Sequence, residues 1–317
     1  MHDPVVGVIL LNWNGYADTI AALNSLIEAT PRPAYVVVVD NGSNDDSAAQ
    51  LVAWGDTRSV SYEVRHESDM GTIESDTWLR IVLAGTNRGF AGGNNIGLVH
   101  LAKSTAATHF LLLNNDALVA PGYFASLASA LQLQPAAGIL GCTIFNFPDT
   151  DRVWFAGGYE DRLRGVALHS MEVPVDGVPF ATEWVTGCAM LISRALYDTI
   201  GGLAECYFPI YCEDSDYSLR ARAANASVMI APLAHVFHKV GATVGVGEVV
   251  PQVAYWQLRH RVFCIRRNYS MGEQIIALSY LGIAKPLRAT LYLLRGKRKM
   301  SGAIFRGLWH GLRDDAA

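Results

Sequence analysis

The chain has 317 residues, a hydrophobic fraction of 51% and a formal net charge of −4 at pH 7, enough for one large core or a domain with an appendage. No stretch of 18 or more apolar residues lacks a charge or a breaker, which excludes a spanning helix. Met1-His2-Asp3-Pro4 lacks the basic-then-apolar order of a signal peptide, and the five cysteines are an odd number without paired metal spacing; the expectation is reduced thiols in a cytoplasmic protein.

Residues 5–11 read as a buried strand, and 18–29 as a helix with Ile20, Leu23, Leu26 and Ile27 on one face. A second buried strand, 35–39, ends at Asp40, and 45–54 reads as a second helix. Residues 66–77 are polar and rich in breakers, so a mobile loop is expected there. A third strand follows at 80–84. The segment 89–102 opens as a Gly-rich loop and becomes a helix, and a fourth strand, 110–113, ends at Asn114. Apolar strands alternating with helices predict an α/β fold with a parallel sheet covered on both faces.

Residues 145–184 are irregular with short β-like pieces, and 185–193 is again apolar. Residues 272–312 read as amphipathic helix, with Ile304, Phe305, Leu308, Trp309 and Leu312 on one stripe and Lys297, Arg298, Lys299, Arg306 and Arg313 flanking it. Charge is unevenly divided: residues 1–250 hold 13 Lys/Arg and 26 Asp/Glu, whereas 251–313 hold 12 Lys/Arg and the single acid Glu273. An anionic surface would therefore meet the protein at its basic end. The amphipathic stripe fits an anionic membrane or a homodimer contact; no nucleic-acid module accompanies the charge.

Polar residues cluster directly after the strands: Asn12 and Asn14, then Asp40, Asn41, Gly42 and Ser43, then Asn87, then Asn114, Asn115 and Asp116. In open α/β sheets, ligands bind at this edge. Asp40 either caps the turn at Asn41-Gly42 or accepts hydrogen bonds from a nucleoside. The run from Gly89 to Gly97, with Gly92, Asn94 and Asn95, either turns the chain or brings backbone N–H groups to an anion. Further along, Glu213, Asp214 and Asp216 put three carboxylates within four residues after the apolar Ile210-Tyr211. Acids there either cap a helix or, desolvated, act as bases.

The ordered set resembles the inverting family-2 glycosyltransferases of the GT-A fold. It comprises Asn12-Trp13-Asn14-Gly15, Asp40-Asn41-Gly42-Ser43, Asn87-Arg88-Gly89 through Gly97, Asn114-Asn115-Asp116, Trp184-Val185-Thr186-Gly187, Glu213-Asp214-Ser215-Asp216 and His238, and spans about residues 5–245. The Asn-Trp-Asn-Gly start and the segment from Tyr255-Trp256 to Arg266-Arg267-Asn268-Tyr269 resemble bacterial rhamnosyltransferases of cell-wall and O-antigen assembly.

The resemblance implies a GT-A domain over 1–250, with a nucleotide-binding part (1–120) and an acceptor and catalytic part (121–250), and a basic helical tail over 251–317. It implies a nucleoside-diphosphate sugar donor, dTDP-L-rhamnose first and UDP- or GDP-sugars next, held by Asn12, Asn14, Asp40, Asn41, Asn87, Gly92, Asn94, Asn95 and Asn115. A glycan or lipid-linked acceptor would meet Trp184, Thr186 and Gly187. Asp214 would be the base, Glu213 its helper, and Asp216 a helix cap. Asp116 and His238 would hold Mn²⁺ or Mg²⁺, with His235 the weaker candidate. Asn114-Asn115-Asp116 departs from the family by carrying one carboxylate where more acid is usual. A nucleotidyltransferase would need a Gly- and Lys/Arg-rich loop after the first strand, where Asn12 to Tyr16 stand instead. A non-catalytic sugar-nucleotide-binding or scaffold protein is the other alternative.

Overall fold

The computed structural model describes residues 3–58, 60–69, 71, 77–239 and 250–316. The chain runs β1 (Val6–Asn12), α1 (Tyr16–Glu28), β2 (Tyr35–Asp40), α2 (Ser47–Arg58), β3 (Tyr62–His66), β4 (Leu79–Leu83), α3 (Gly89–Ser104) and β5 (His109–Asn114). These five strands pair in parallel in the order β5-β1-β2-β4-β3. Val8, Ile9, Leu10, Val36 to Val39 and Phe110 to Leu112 are fully buried, as continuous apolar runs require when helices cover both faces. Each such side chain contributes about 1.5–3 kcal/mol of burial.

The next elements are β6 (Ala117–Val119), α4 (Tyr123–Leu133), β7 (Ala137–Asn146), β8 (Val153–Phe155), β9 (Gly158–Asp161), β10 (Val166–His169), β11 (Phe180–Ala181), β12 (Ala189–Ser193), α5 (Arg194–Ile200), α6 (Glu213–Ala223) and β13 (Ser227–His238). They extend the same sheet as β11-β13-β7-β12-β5, with β12 antiparallel to both of its neighbours. Strands β9 and β10 form a separate hairpin. Three helices close the chain: α7 (Pro251–Asn268), α8 (Met271–Leu294) and α9 (Arg298–Arg313). The fold is α/β, a mostly parallel central sheet flanked by helices, with a helical C-terminal region.

Two elements differ from the expectation. Strand β3 was not expected, because an edge strand with Glu63 and Arg65 shows no apolar run; it is fastened to β4 by an ion pair of 2.7 Å between Glu63 and the fully buried Arg80. Helix α3 begins at Gly89 itself, without a preceding glycine loop. A Cβ on Gly93 would lie 2.3 Å from Leu11, and one on Gly97 would lie 2.5 Å from Ile9, so these glycines let the helix approach the sheet closely. Half of the expected loop over 66–77 falls outside the described residues.

The C-terminal helices form a second apolar cluster that also contains Tyr207 and Leu219 from the sheet domain. Helix α9 buries Ser301, Ile304, Gly307 and Gly311, and leaves Phe305, Trp309 and Leu312 exposed, so the predicted stripe is divided between core and surface. No helix among the described residues is long and apolar enough to cross a membrane.

Asp216 corrects a further expectation. Its side chain does not cap α6. It is fully buried and accepts from Tyr207 Oη (3.0 Å), Arg220 Nε (2.8 Å), Arg267 Nε (3.2 Å) and Asn268 Nδ2 (2.8 Å). One carboxylate thereby joins α6 to α7. Asp216→Ala should lower the unfolding free energy by about 3–5 kcal/mol, the usual cost of breaking a buried ion pair, measured by urea denaturation. Loss of under about 1 kcal/mol would contradict this role.

Candidate active site

Because β1, β2, β4 and β5 are parallel, their carboxyl ends share one edge. Asn12 and Asp40 are Cα partners across β1 and β2, and Leu11 pairs with Asn114 across β1 and β5. A hydrogen-bond network built by short side chains stiffens this edge. Asn12, fully buried, accepts from Thr19 Oγ1 (2.7 Å) and donates to Ser43 Oγ (3.2 Å). Asn14, at φ 51°, accepts from Asn44 N–H (2.9 Å). Asn41 donates to Asn87 Oδ1 (3.1 Å) and the Gly89 carbonyl (3.1 Å), and accepts from Arg88 N–H (3.0 Å). Asn115 donates to Thr19 Oγ1 (3.1 Å).

Asp40 satisfies the first reading directly: Oδ1 accepts from Ser43 N–H (3.0 Å) and caps the turn. Among the described residues its second oxygen has no hydrogen bond, so it can also receive a ligand. Asn94 and Asn95, in contrast, are committed to the fold. Asn94 donates to the Phe90 carbonyl (2.9 Å), and Asn95 clamps Leu203 through its N–H (2.8 Å) and carbonyl (2.9 Å). Gly92 faces Arg88 and Glu205. The structure thus separates these three from the other donor-site candidates, since a helix that starts at Gly89 turns them into its packing faces. Ser43, quoted above only as part of a motif, is the hub of this edge, accepting from Asn12 Nδ2 and Asn14 N–H and donating its own N–H to Asp40; Trp13 is about half exposed (52%) directly after β1.

Asp116 and His238 do come together. His238 pairs with Ala117 across β13 and β6, which brings its Nε2 to 3.2 Å from Asp116 Oδ1. His235 lies three residues earlier, on the opposite face of the strand. Adjacent ligands of an octahedral ion with bonds of about 2.1 Å stand roughly 3 Å apart, so the pair fits a shared cation. His238 Nδ1 is buried and has no partner among the described residues. No group of three or more His, Cys, Asp or Glu suited to a metal occurs among the described residues, so further ligands would have to come from a phosphate or water.

The acids sit at the start of α6. Tyr211 (φ 92°) and Cys212 (φ 73°) both adopt positive φ, which costs roughly 1–3 kcal/mol each for residues with side chains. Contacts on both sides hold this turn: His260 Nδ1 donates to the Ile210 carbonyl (2.9 Å), and Phe90 N–H donates to the Pro209 carbonyl (2.8 Å). Gly89, at φ 69°, packs so closely there that a Cβ would meet that carbonyl at 2.6 Å.

The strained turn aims Asp214 at the sheet. Its Oδ2 accepts from Gly187 N–H (3.0 Å) and its Oδ1 from Ser215 N–H (2.8 Å). Burial raises its pKa, while those two N–H groups oppose the rise. Glu213 is buried with Oε2 unpartnered among the described residues; burial first, then the neighbouring Asp214 charge, hold its carboxyl well above the usual range. The base candidate and the cation candidate are linked through one short segment. Gly187 N–H binds Asp214, and the next residue, Cys188, accepts from Asn114 N–H (2.9 Å). An aromatic bridge runs alongside: the Trp154 ring lies 4.8 Å from that of His238 and 4.7 Å from that of His169, whose pKa burial lowers. His169 is a site residue that the sequence reading missed, because it stands in an irregular stretch.

Of the acceptor candidates, Thr186 Oγ1 accepts from Cys188 N–H (3.3 Å). Trp184 donates to the Leu168 carbonyl (3.2 Å) and packs on Phe155 and His169, yet it also lines a cavity of about 280 Å³ with Tyr211, Cys212, Ser215, Gln257 and Arg261.

The sequence model of Glycosyl transferase family 2 matches residues 7–201, well over half of the chain. The chain belongs to glycosyl transferase family 2. An uncharacterized protein of Mycobacterium tuberculosis is 30% identical over 164 residues, 50% of this chain and 57% of that protein, so the chain spans little more than half the length of such relatives. An N-acetylglucosaminyl-diphospho-decaprenol L-rhamnosyltransferase of the same species is 25% identical over 245 residues, covering 70% of this chain and 72% of the relative.

Two solved structures share the fold. GalNAc-T7 with UDP, GalNAc and Mn²⁺ superposes with a TM-score of 0.67 at 14% identity, over 99% of this chain and 57% of that one. The mannosyltransferase PcManGT of Pyrobaculum calidifontis with GDP-Man and Mn²⁺ gives 0.58 at 18% identity, over 99% of this chain and 89% of that one. This family-2 chain thus has the GT-A architecture expected of it.

The raised carboxyl pKa of Glu213 has a consequence for stability. An acid whose folded pKa exceeds its unfolded value destabilises the fold once pH climbs above that unfolded value, and the loss grows until the folded pKa is passed. Glu213→Gln should therefore leave stability near pH 4 unchanged and raise it at pH 8, as read from urea midpoints. Equal midpoints for the two proteins at pH 8 would contradict the burial argument.

Proposed function

We propose that this protein is a metal-dependent inverting glycosyltransferase that moves a sugar from a nucleoside diphosphate to a hydroxyl of a glycan or lipid-linked acceptor, with Asp214 as base. The observation that carries this reading is the Asn114–Cys188–Gly187–Asp214 connection, which couples the strand edge beside Asp116 and His238 to a half-buried carboxylate. The name of the 25%-identical relative favours L-rhamnose as the sugar, with dTDP-L-rhamnose as donor. UDP- and GDP-linked sugars are the alternatives.

In this reading Asp40 Oδ2 receives the nucleoside, on an edge held rigid by Asn12, Asn14, Asn41, Asn87 and Asn115. Asp116 and His238 would hold Mn²⁺ or Mg²⁺. A cation held there supplies positive charge for the departing diphosphate. Asp214 takes the acceptor proton as that oxygen attacks C1 from the face opposite the leaving group, so no covalent sugar–protein intermediate is needed. Gly187 N–H and Ser215 N–H orient Asp214 and favour its charged form, while burial raises its basicity. Glu213, whose carboxyl burial and then the Asp214 charge hold well above the usual range, can in its protonated form donate to an acceptor oxygen. Trp184, Thr186 and Gly187 wall the acceptor side.

The acceptor's lipid side is served by the C-terminal helices. Ile276, Ile283, Leu287, Leu291 and Leu294 lie on one exposed stripe of α8, and Phe305, Trp309 and Leu312 on one of α9, beside Lys299, Arg306 and Arg313. Apolar stripes edged by cations suit the inner face of an anionic membrane.

Asp214→Asn should lower kcat by about 10²–10⁴ while nucleotide affinity stays within about twofold of wild type. Near-normal turnover would remove Asp214 from the base role. Asp116→Ala should weaken nucleoside-diphosphate binding in Mn²⁺ and leave metal-free binding unchanged, and dTDP should give the largest thermal shift among dTDP, UDP and GDP. A UDP or GDP preference would replace the rhamnosyl assignment. Vesicles of phosphatidylglycerol should co-sediment the protein, with the Phe305→Ser/Trp309→Ser variant retained several-fold less; equal retention would instead favour these stripes as a dimer contact.

A further inference from the structure

A second cavity, of about 340 Å³, lies among α7, α8 and α9 and is lined by Arg261, Lys285, Arg288 and Lys297, with Gln257 and Tyr292. No acid lines it among the described residues. Arg261 donates to the Arg164 carbonyl from both Nε (2.8 Å) and Nη2, and among the described residues Arg288 donates to Tyr292 Oη (3.3 Å). Lys285 makes no ion pair among the described residues; burial first, then Arg261 and Arg288, push its pKa down to about 8. Cations gathered in a partly desolvated hollow repel one another, and a bound anion relieves that repulsion. The forked guanidinium of Arg288 favours phosphate oxygens, and a phosphate bridges several cations at once.

The place of this cavity narrows the ligand. Gln257 and Arg261 line both it and the cavity that contains Trp184, Tyr211, Cys212 and Ser215 beside the acids. Lys285 and Arg288 share α8 with the exposed Ile283, Leu287 and Leu291, and at about 100° per residue Arg288 borders that stripe at Leu291 while Lys285 faces away from it. The order along the protein is thus the turn that carries the acids, the cavity of about 280 Å³ edged by Trp184, Tyr211, Cys212 and Ser215, the cation cluster, and the exposed stripe of α8.

We propose that Arg261, Lys285, Arg288 and Lys297 form a binding site for the diphosphate of a lipid-borne acceptor, whose sugar reaches Asp214 through the adjoining cavity and whose hydrocarbon lies on α8. This rests on the glycosyltransferase reading for its purpose but not for its test. Titration calorimetry of the full chain in EDTA, which silences any metal-dependent donor site, uses three soluble probes: inorganic pyrophosphate, farnesyl diphosphate and dihexanoyl-phosphatidylglycerol.

Farnesyl diphosphate should bind at least tenfold more tightly than either other probe. The Lys285→Gln/Arg288→Gln variant should lose at least tenfold of that affinity, Lys285→Arg should keep it, and Asp116→Ala should leave it unchanged. No binding of farnesyl diphosphate, equal binding by the double variant, or pyrophosphate binding as tightly as farnesyl diphosphate would overturn the assignment. Dihexanoyl-phosphatidylglycerol binding as tightly as farnesyl diphosphate would overturn it too, by making the cavity a headgroup site. None of these results bears on Mn²⁺-dependent nucleotide binding, which tests the enzyme reading separately.

Discussion

The buried carboxylate of Asp216 is the constraint on which the site depends. Four donors from three parts of the chain converge on it, so α6 cannot shift without exposing or unpairing that charge. Fixing α6 fixes the turn before it, where Tyr211 and Cys212 are held at positive φ. Such strain persists only where the surroundings over-determine it. Here they do so from both sides, with His260 on the Ile210 carbonyl and Phe90 on the Pro209 carbonyl. The outcome is a helix start whose first two acids stand beside the sheet instead of in solvent.

Those two acids then diverge because their environments do. Asp214 receives two backbone N–H groups and remains half-buried; Glu213 has an oxygen with no partner among the described residues and is almost fully enclosed. Neighbouring carboxyls with such unequal surroundings titrate apart, the usual basis for assigning one as base and one as donor. The Gly187 peptide is the physical link between this pair and the strand edge, and a side chain at that position would press on Phe90 at 3.0 Å.

Much of this was legible in the sequence for a simple reason. Strands buried on both faces must be continuously apolar, so β1, β2, β4 and β5 declare themselves, and the polar residues that follow each one mark a common edge. Asp116 and His238 lie more than a hundred residues apart; no periodicity joins them, and only the ordered family motifs suggested what the pairing of β6 with β13 accomplishes. Where one residue type serves two purposes the sequence misled. Glycines and asparagines after Gly89 resemble a ligand loop, but they pack a helix against Ile9, Leu11 and Leu203. Asp216 looks like a cap, because a carboxylate in a first helical turn usually is one. The charge of the C-terminal segment was plain, whereas the convergence of Arg261, Lys285 and Arg288 on one cavity depends on how α7 and α8 pack.

The central claim is that Asp116 and His238 mark the donor end of a site whose acceptor end is Asp214. A crystal grown with dTDP and Mn²⁺, examined by anomalous scattering at the manganese edge, tests it most directly. The account predicts one manganese peak within coordination distance of Asp116, His238 and the nucleotide diphosphate, with Asp40 on the nucleoside and Asp214 facing the same space. Nucleotide bound with manganese away from Asp116 and His238, or with Asp214 turned from the diphosphate, would contradict it.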